Sequence, residues 1–356
     1  MWTIPTSVIT CRGLPRRRAR FARRSVLGLL GGAALTLLTA VSGHQGAIAQ
    51  SAPPTKFDFA GSVTWLGQVP VMIAIEKGFF KEQGVDVEFK TILSSGDRIA
   101  ALTAGSVAFS NLGRVSVVAE MARGNQSFYY FANIDDSPGN EGCWARPGIA
   151  SIKDLKGKKV AANTSAEITL AGLLRASGMT QKDIQYINLS PNEMAPALAK
   201  GDLDAACVWQ PLLGGLQQAV PDGKLLGTDK DTDTYAKYQT MASPDIVIIS
   251  RKLVDQYPEQ ARKLAVAVMK GADFVNESPD ETAKLVAHYF KKPPEEVLAG
   301  IKSFQYFGLK NWPEHIKLHT QQMQDLAQWL YDSNKIGNLP DVKKWENVSF
   351  LPKPNS

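Results

Sequence analysis

The sequence predicts an α/β protein of two similar lobes, each a mainly parallel sheet flanked by helices. One stretch occurs twice, because residues 101–113 and 197–209 share the pattern Ala-Leu-x-x-Gly-[Ser/Asp]-[Val/Leu] at an offset of 96 residues. In each copy a helix is predicted to end at a left-handed glycine, Gly105 or Gly201, and the apolar residues that follow predict a buried strand. Strands and helices alternate around both copies, which predicts parallel strands joined by right-handed crossovers. Ligands bind beyond the carboxyl ends of such strands, so the functional residues are expected there.

The first half of the chain follows a Ser/Pro-containing linker at residues 51–55. Residues 85–89 alternate between apolar and acidic side chains, as a half-buried strand does. The helix before this strand starts next to Pro70 and is bounded by glycine. The predicted elements are strand 62–66, helix 71–80, strand 85–89, helix 98–104, strand 107–109, helix 115–123 and strand 128–133.

The second half starts with the polar residues 135–141, which are predicted to cross into the second lobe. The β-branched run at 245–249 predicts a buried strand by which the chain returns. The second lobe is predicted to contain strands 142–145, 160–161, 184–189 and 203–208 and helix 167–177. After the return come predicted helices 261–275, 279–290, 294–304 and 312–332 and a Pro-rich surface tail at 337–356. We therefore assign residues 50–137 and 247–356 to the first lobe and 138–246 to the second.

The charge distribution does not indicate a nucleic-acid-binding protein. The net charge is +6, but residues 1–49 hold seven arginines and no acidic residue, which leaves −1 for the rest of the chain. Binding to a polyanion requires a basic surface. We therefore expect no nucleic-acid partner.

Residues 1–49 have the organisation of a secretory signal peptide. A basic segment precedes the apolar run 26–41, and Ala47-Ile48-Ala49 precedes Gln50, so cleavage is expected after Ala49. Arg23-Arg24 resembles a twin-arginine signal, and the Sec route fits as well. A retained membrane anchor is disfavoured because the apolar run has about 16 residues, against the roughly 20 that span a bilayer. We expect a soluble, exported protein.

Two cysteines lie outside this leader, Cys143 and Cys207, both in apolar, strand-like stretches. In an oxidising compartment they can form a disulfide, and as buried free thiols they would behave as small hydrophobic residues. The sequence leaves both states open. Because no His-Cys cluster with metal-ligand spacing accompanies them, we expect neither a metal site nor a cofactor.

Short motifs spread over the chain after the leader carry a resemblance to a known family. They are Gly78-Phe79-Phe80, Gly84-Val85-Asp86-Val87, Ser95-Gly96, Ala101-Leu102 with Gly105, Asn111-Leu112-Gly113, residues 153–161, Asn188-Leu189, residues 201–205 with Trp209 and Pro211, and Asp245. In this combination the chain resembles the periplasmic solute-binding proteins of ABC importers in the nitrate, sulfonate and taurine group, and most of all taurine-binding proteins.

The resemblance implies a type II periplasmic binding protein fold with two crossover strands and a ligand held between the lobes. Closure of a hinge around the ligand would present the protein to a permease of the inner membrane. The protein is expected to be a periplasmic monomer and not an enzyme. Relatives of this group include pyrimidine-precursor binders and an enzyme of thiamin pyrimidine synthesis, so the fold alone does not decide the activity.

The first-lobe candidates for ligand binding are polar or aromatic residues in loops at strand ends. They are Trp65, Gln68, Ser94, Ser95, Asn111, Gly113 and Arg114. The resemblance implies that Asn111-Leu112-Gly113 and the two residues after it line the site. The planar guanidinium of Arg114 matches two oxygens of a sulfonate or carboxylate; alternatively Arg114 points into solvent or pairs with an acid.

Acidic candidates lie at both predicted crossings. Asp245 matches the position at which taurine-binding relatives hold the amino group, and a carboxylate before an apolar strand is costly to bury without a cation. The alternative is a turn residue bound by local amides. Asp136 and Glu141 either favour an ammonium or guanidinium group in the cleft or form polar hinge surface.

The second-lobe candidates are Trp209, Thr164 and Ser165. Trp209 can pack on the methylene groups or the cation of a ligand, or lie in the core. Thr164 and Ser165 precede a helix, where they can donate to an anionic group or cap the helix.

The function these residues favour is capture of a small sulfonate such as taurine. The alternatives are a cationic compound such as an amine or guanidine, an alkanesulfonate without an amine, or a nitrogen heterocycle such as a pyrimidine. An enzyme of the pyrimidine-synthesis branch would need a Cys-rich motif and a lysine-bearing cofactor site, and Cys143 with Cys207 supply neither.

Overall fold

The computed structural model describes residues 52–163 and 165–353. The predicted signal peptide with its cleavage position, and Thr164, lie outside the described residues. Within the described part no helix is long and apolar enough to cross a membrane.

Twelve strands are present in the described part of the chain. They are β1 Lys56–Gly61, β2 Asp86–Thr91, β3 Phe109–Gly113, β4 Phe128–Ala132, β5 Asp135–Asp136, β6 Glu141–Ala145, β7 Lys159–Ala162, β8 Gln185–Asn188, β9 Ala205–Trp209, β10 Lys224–Thr228, β11 Asp245–Ser250 and β12 Gln305–Tyr306.

Thirteen α-helices accompany these strands in the same described part. They are α1 Val69–Glu76, α2 Phe79–Glu82, α3 Ser95–Thr103, α4 Arg114–Ala122, α5 Glu167–Ala176, α6 Pro191–Lys200, α7 Leu212–Ala219, α8 Asp233–Tyr238, α9 Arg251–Gln256, α10 Pro258–Glu277, α11 Pro279–Phe290, α12 Pro294–Ile301 and α13 Trp312–Asp332.

Two five-stranded sheets organise the molecule, with orders β2-β1-β3-β11-β4 and β10-β6-β9-β7-β8. In the first sheet β1 is parallel to β2 and β3, whereas β11 is antiparallel to β3 and β4. In the second sheet β7 is parallel to β8 and β9, whereas β6 is antiparallel to β9 and β10. Four strands of each sheet therefore share one direction. The fifth, β11 or β6, is the strand that enters after the chain has crossed from the other sheet.

The duplicated stretch forms corresponding elements in the two sheets. Gly105 and Gly201 have φ values of 78° and 91°, which confirms the predicted left-handed ends of the preceding helices. The strands that follow, β3 and β9, are the middle strands of their sheets. The repeat therefore builds the same scaffold twice.

Some predicted boundaries are wrong. The first strand lies at Lys56–Gly61 and not at residues 62–66, because Phe57 and Phe59 alternate with polar residues and face the core. The predicted helix 71–80 is two helices, since Gly78 at φ 74° separates α1 from α2. The tail is buried in part, since the rings of Phe131 and Phe350 are 5.4 Å apart.

The core of each sheet is formed by its own helices. One hydrophobic cluster joins the first sheet to the long helix α10 and to α13, with side chains such as Phe59, Ile248 and Val268 fully buried. Two smaller clusters cover the two faces of the second sheet, around Leu170 and Leu198. Burial of these apolar side chains is the main stabilising contribution to both halves.

A disulfide joins Cys143 in β6 to Cys207 in β9, so of the two states left open by the sequence the structure has the oxidised one. The two cysteines are direct partners in the antiparallel register, and both are fully buried. The bond lies two residues from Glu141 and Trp209, which are also direct partners. It therefore fixes the strand pair that carries those two side chains.

Replacing both Cys143 and Cys207 by Ser is expected to lower the free energy of unfolding by about 2–4 kcal/mol, since the disulfide closes a loop of 64 residues. Equilibrium denaturation with and without reductant measures this. The reduced wild type should match the double variant, and equal stability of reduced and oxidised wild type would contradict the prediction.

Helix α13 and the segment after it contact helices that pack on the second sheet. Asp325 accepts hydrogen bonds from Lys237 Nζ at 2.5 Å and from the Tyr238 hydroxyl at 2.6 Å. Lys335 Nζ forms an ion pair with Glu167 at 2.7 Å. The two sheets are thus linked by side chains as well as by the two crossing segments.

Candidate functional site

A cavity of about 240 Å³ lies where strands of both sheets begin or end. β3 and β9 contribute their last residues, Gly113 and Trp209, and β11 and β6 their first residues, Asp245 and Glu141. The lining residues are Ser62, Thr64, Trp65, Gln68, Leu93, Ser95, Arg98, Gly113, Val115, Ser116, Glu141, Asn163, Ser165, Trp209, Met241, Ser243 and Asp245. This is the position at which ligands bind in α/β proteins.

Two other cavities, of about 310 and 350 Å³, are larger. One lies between α8 and α13, and the other between α10 and the tail. Neither is at the strand ends. In the cavity between α8 and α13, charged side chains pair with one another, as Lys237 does with Asp325 and Arg175 does with Asp233. We therefore take the cavity between the sheets as the candidate site.

Arg98 is the one arginine among the described lining residues. It lies in the first turn of α3 and is 4% exposed. Its guanidinium donates to the Ile92 carbonyl at 3.1 Å and to Ser95 Oγ at 2.9 Å, and its Nε has no hydrogen-bond partner among the described residues. A buried guanidinium donor without a partner, next to the N-terminus of a nine-residue helix, favours an anionic group.

Asp245 faces the cavity from the first sheet. It is 9% exposed, lies opposite Gly113, and accepts a hydrogen bond from Gln68 Nε2 at 3.4 Å. Burial raises the pKa of its carboxyl group, and the negative charge of Asp135 raises it further. The positive charges of Arg98 and Arg114 oppose this shift. Asp245 is therefore a carboxylate that a ligand cation would stabilise.

Glu141 faces the cavity from the second sheet. It is 5% exposed, lies opposite Trp209, and accepts a hydrogen bond from the Thr169 hydroxyl at 2.5 Å. Burial raises the pKa of Glu141 to about 8, with a further contribution from the negative charge of Asp229. The hydrogen bond from Thr169 lowers it. This shift favours the protonated form of the Glu141 carboxyl group, and a ligand cation beside it would favour the ionised form.

The raised pKa of Glu141 predicts how stability depends on pH. Between its ordinary pKa and about 8, the folded ligand-free protein keeps a proton that the unfolded chain has lost, so stability falls as pH rises through this window. Glu141→Gln has no proton to lose at this position. In ligand-free protein, we therefore expect the free energy of unfolding of the variant, relative to that of wild type, to increase by about 2–4 kcal/mol as pH rises from 5 to 9.

Denaturant titrations at pH 5, 7 and 9 measure this difference. Glu167→Gln is the control, because Glu167 is buried outside the cavity and is paired with Lys335. A stability difference between Glu141→Gln and wild type that stays constant over this pH range would contradict the assignment.

Eight of the thirteen predicted binding residues line the cavity. They are Trp65, Gln68, Ser95, Gly113, Glu141, Ser165, Trp209 and Asp245. Thr164 lies outside the described residues. The structure places the other four predicted residues, Ser94, Asn111, Arg114 and Asp136, beside or beneath the cavity.

Three of these four support the site from outside its surface. The Ser94 hydroxyl accepts from the Asp97 amide at 3.3 Å and caps α3. Asn111 is fully buried and donates to the Gly67 carbonyl at 2.9 Å, which holds the loop before α1. Asp136 accepts from the backbone amides of Ser137 at 2.9 Å and Met241 at 3.1 Å.

Arg114 lies neither in the cavity nor in solvent. It is fully buried, and its guanidinium binds Gln322 at 2.6 Å and the ring of His319, both in α13. Burial lowers the pKa of Arg114 to about 10, and the charges of Asp136, Asp135 and Asp245 oppose that shift. Arg114 is thus a buried counter-charge beneath the acidic residues. The first-turn arginine that reaches the cavity is Arg98.

Sequence reasoning missed several lining residues, of which Arg98 is the most informative. Side chains of the first helical turn point back towards the helix N-terminus. Arg98 is three residues after Ser95, so this rule was sufficient to place its guanidinium beside the predicted site. Asn163 directly follows β7 and carried the same strand-end signal, whereas no comparable signal marks Met241 or Ser243, which depend on the path of the loops.

The arrangement can bind a small molecule that carries both signs of charge. Arg98 and the serines suit an anionic group, the carboxylates suit a cation, and Trp65 and Trp209 offer flat apolar surfaces. No cluster of three or more His, Cys, Asp or Glu with metal-binding geometry occurs in the described residues.

The fold and this site define a two-sheet α/β protein with a small polar cavity between its sheets. Residues 66–282 match the model of the NMT1/THI5-like family, and the chain belongs to that family.

Relatives of known description are mostly binding proteins. A binding protein of Brucella abortus is 27% identical over 221 residues, which are 62% of this chain and 66%, just under two thirds, of that relative. An aliphatic sulfonates-binding protein of Bacillus subtilis is 29% identical over 295 residues, covering 80% of this chain and 84% of it. The taurine-binding periplasmic protein of Escherichia coli is 26% identical over 277 residues, covering 72% and 81%.

Solved structures show that the fold is that of the type II periplasmic binding proteins. The periplasmic aliphatic sulphonate binding protein of Escherichia coli matches 82% of this chain and 92% of its own, with a TM-score of 0.67 and 16% identity. A desulfurization enzyme matches 83% of this chain and 97% of its own, with a TM-score of 0.61 and 16% identity. At these identities the likeness concerns the fold alone, which both a binding protein and an enzyme use.

Proposed function

We propose that this protein is the extracytoplasmic solute-binding component of an ABC importer and that it captures a small sulfonate such as taurine. The observation that carries the proposal is the cavity itself, in which Arg98 and two carboxylates line one small space. The sulfonate- and taurine-binding relatives support the ligand class. The near-neutral charge of the chain after the predicted leader supports a small-molecule partner.

In this proposal the first lobe comprises residues 50–137 and 247–356, and the second comprises 138–246. Closure about the two crossing segments brings Arg98 of the first lobe, and Asp245 at the start of first-sheet strand β11 in the returning segment, against Glu141 and Trp209 of the second lobe. Contacts that exist only in the closed form make closure depend on the ligand. The closed protein then docks, as a monomer in the periplasm, on the permease of the inner membrane.

The sulfonate would lie against Arg98 and the serines near it. A sulfonate has three oxygens, which suit the fork of a guanidinium and the hydroxyls of Ser95 and Ser165. The ammonium group of taurine would then face Asp245. The two charged ends are separated by two methylene groups, which can pack on Trp209.

A thermal-shift screen of ligand-stripped protein tests the proposal. Taurine, ethanesulfonate, guanidine and a pyrimidine are compared at equal concentration, and a ligand at one hundred times its dissociation constant stabilises by about 2.7 kcal/mol. Taurine is expected to give the largest shift, confirmed by calorimetry. Native mass spectrometry of protein from its own periplasm reads a co-purified ligand directly. If no sulfonate shifts the transition, the ligand assignment is wrong.

A purely cationic ligand is the second candidate, and one observation favours it. Four buried carboxyl groups, those of Asp135, Asp136, Glu141 and Asp245, lie in or beneath the cavity, against the two guanidinium groups of Arg98 and Arg114. An amine or guanidine would reduce this excess of negative charge. In the same screen, a larger shift with guanidine than with taurine selects this candidate.

An enzymatic role in pyrimidine synthesis is less well supported. The binding-protein relatives favour non-enzymatic function. Among the described lining residues there is no lysine or cysteine, which a lysine-bearing cofactor site and a Cys-rich motif would require. Formation of a pyrimidine product by a cofactor-loaded sample would support the enzyme.

A further inference from the structure

The two carboxylates of the cavity occupy equivalent places in the two halves of the molecule. Asp245 is the first residue of β11 and lies opposite Gly113, the last residue of β3. Glu141 is the first residue of β6 and lies opposite Trp209, the last residue of β9. Since β3 and β9 follow the two copies of the duplicated stretch, the scaffold places one acid from each sheet at the same cavity.

Neither acid has a cationic side chain bound to it among the described residues. Asp245 accepts a hydrogen bond from the amide of Gln68, and Glu141 accepts one from the hydroxyl of Thr169, and both donors are neutral. Two buried carboxylates that share a cavity without a bound cation are costly to ionise. Each carboxyl group can therefore accept further hydrogen bonds from a cationic group of a ligand.

The charged groups around the pair differ between its members. Asp245 faces Arg98 on α3, Arg114 on α4 and the acidic Asp135 on β5. The charged groups that act on Glu141 among the described residues are both acids, Asp229 after β10 and Asp245 itself. Glu141 is thus the carboxyl group with the greatest need of a cation from the ligand.

We propose that Glu141 and Asp245 together bind one primary ammonium group of the ligand, each accepting one of its N–H bonds, and that this displaces a proton from the pair to solvent. This inference rests on the proposed function and adds a specificity-determining residue to it. A primary ammonium has three N–H donors and can reach two carboxylates that approach from different sheets. A sulfonate without an amine leaves both acids without a cation, and a fully methylated amine has no N–H to donate. The cleft therefore selects amino-substituted anions over simple ones.

Calorimetry with ligand-stripped protein tests the pair. Taurine, ethanesulfonate and N,N,N-trimethyltaurine are titrated into wild type, Glu141→Gln and Asp245→Asn at pH 7, in two buffers of different ionisation enthalpy, so that proton release is counted. Wild type is expected to prefer taurine over each of the other ligands at least about a hundredfold and to release up to one proton. Each variant should lose at least about tenfold of this preference, and Glu141→Gln should release fewer protons.

Two further variants separate binding from structure. Glu141→Asp keeps the charge on a shorter side chain and should retain part of the preference. Glu167→Gln, whose side chain is buried outside the cavity, should leave preference and proton release unchanged. Taurine preference and proton release in Glu141→Gln that equal those of wild type overturn the inference while leaving sulfonate binding intact.

If the proposed function is wrong, the titrations give a different result. In that case wild type binds no sulfonate, and the titrations are repeated with propylamine and guanidine. Binding of propylamine that is lost in Glu141→Gln supports the pair in a protein with another ligand. Amine binding that does not depend on Glu141, or no amine binding at all, overturns it.

Discussion

Asp245→Ala is expected to weaken taurine binding at least about a hundredfold. Asp245 is buried at the start of β11, faces the cavity and accepts a single hydrogen bond from Gln68. Truncating it leaves the ligand ammonium with only one of its two carboxylate acceptors in a desolvated site, and loss of one partner of a buried charge pair costs about 3–5 kcal/mol. Titration calorimetry at fixed pH and salt measures the change.

The matching ligand control is ethanesulfonate, which lacks the ammonium group. Its affinity should change little in Asp245→Ala, so much of the preference for taurine over ethanesulfonate is lost. A variant that is folded by circular dichroism and still binds taurine as wild type does would remove Asp245 from the site.

Substitution of Arg98 should weaken binding of both sulfonates, because it removes the partner of their shared anionic group. In Arg98→Gln, taurine and ethanesulfonate are both expected to lose at least about thirtyfold in affinity, since the residue binds the group that the two ligands share. Asp245→Ala is expected to lower the affinity for taurine alone, whereas Arg98→Gln is expected to lower the affinities for both ligands. The comparison therefore assigns each end of the ligand to one side chain.

Two variants control for this experiment. Arg98→Lys retains the charge without the planar fork and should recover only part of the affinity. Arg175→Gln removes an arginine outside the cavity that pairs with Asp233, and it should bind as wild type does. Unchanged binding of both sulfonates in Arg98→Gln would contradict an anion site at α3.

Local rules predicted much of the scaffold because its elements follow short-range patterns. Gly105 and Gly201 take the left-handed conformation that only a residue without Cβ adopts easily, and the apolar run before Ser250 forms a buried strand. The first strand is misplaced because residues 62–66, which have strand-like side chains, form a loop at the cavity edge. Strand order also depends on contacts between distant residues, which no local pattern contains.

The site was predictable only as far as its residues follow strand ends. Asp245 was predicted from the resemblance and from its place before an apolar strand, Glu141 from the polar crossing segment, and Trp209 from its place just after a predicted strand. Arg114 is at an equally favourable position, but α13 supplies His319 and Gln322 as partners and draws its guanidinium under the sheet. That partner helix is about two hundred residues away in sequence, which is why the choice between Arg98 and Arg114 required the fold.

The carboxylate of Asp136 connects the two crossing segments to each other. One oxygen accepts both the Ser137 amide on the outgoing segment and the Met241 amide on the returning segment. The two connections are therefore tied to each other at this carboxylate. In the closure proposed above, a rotation of one segment would be transmitted to the other through this carboxylate.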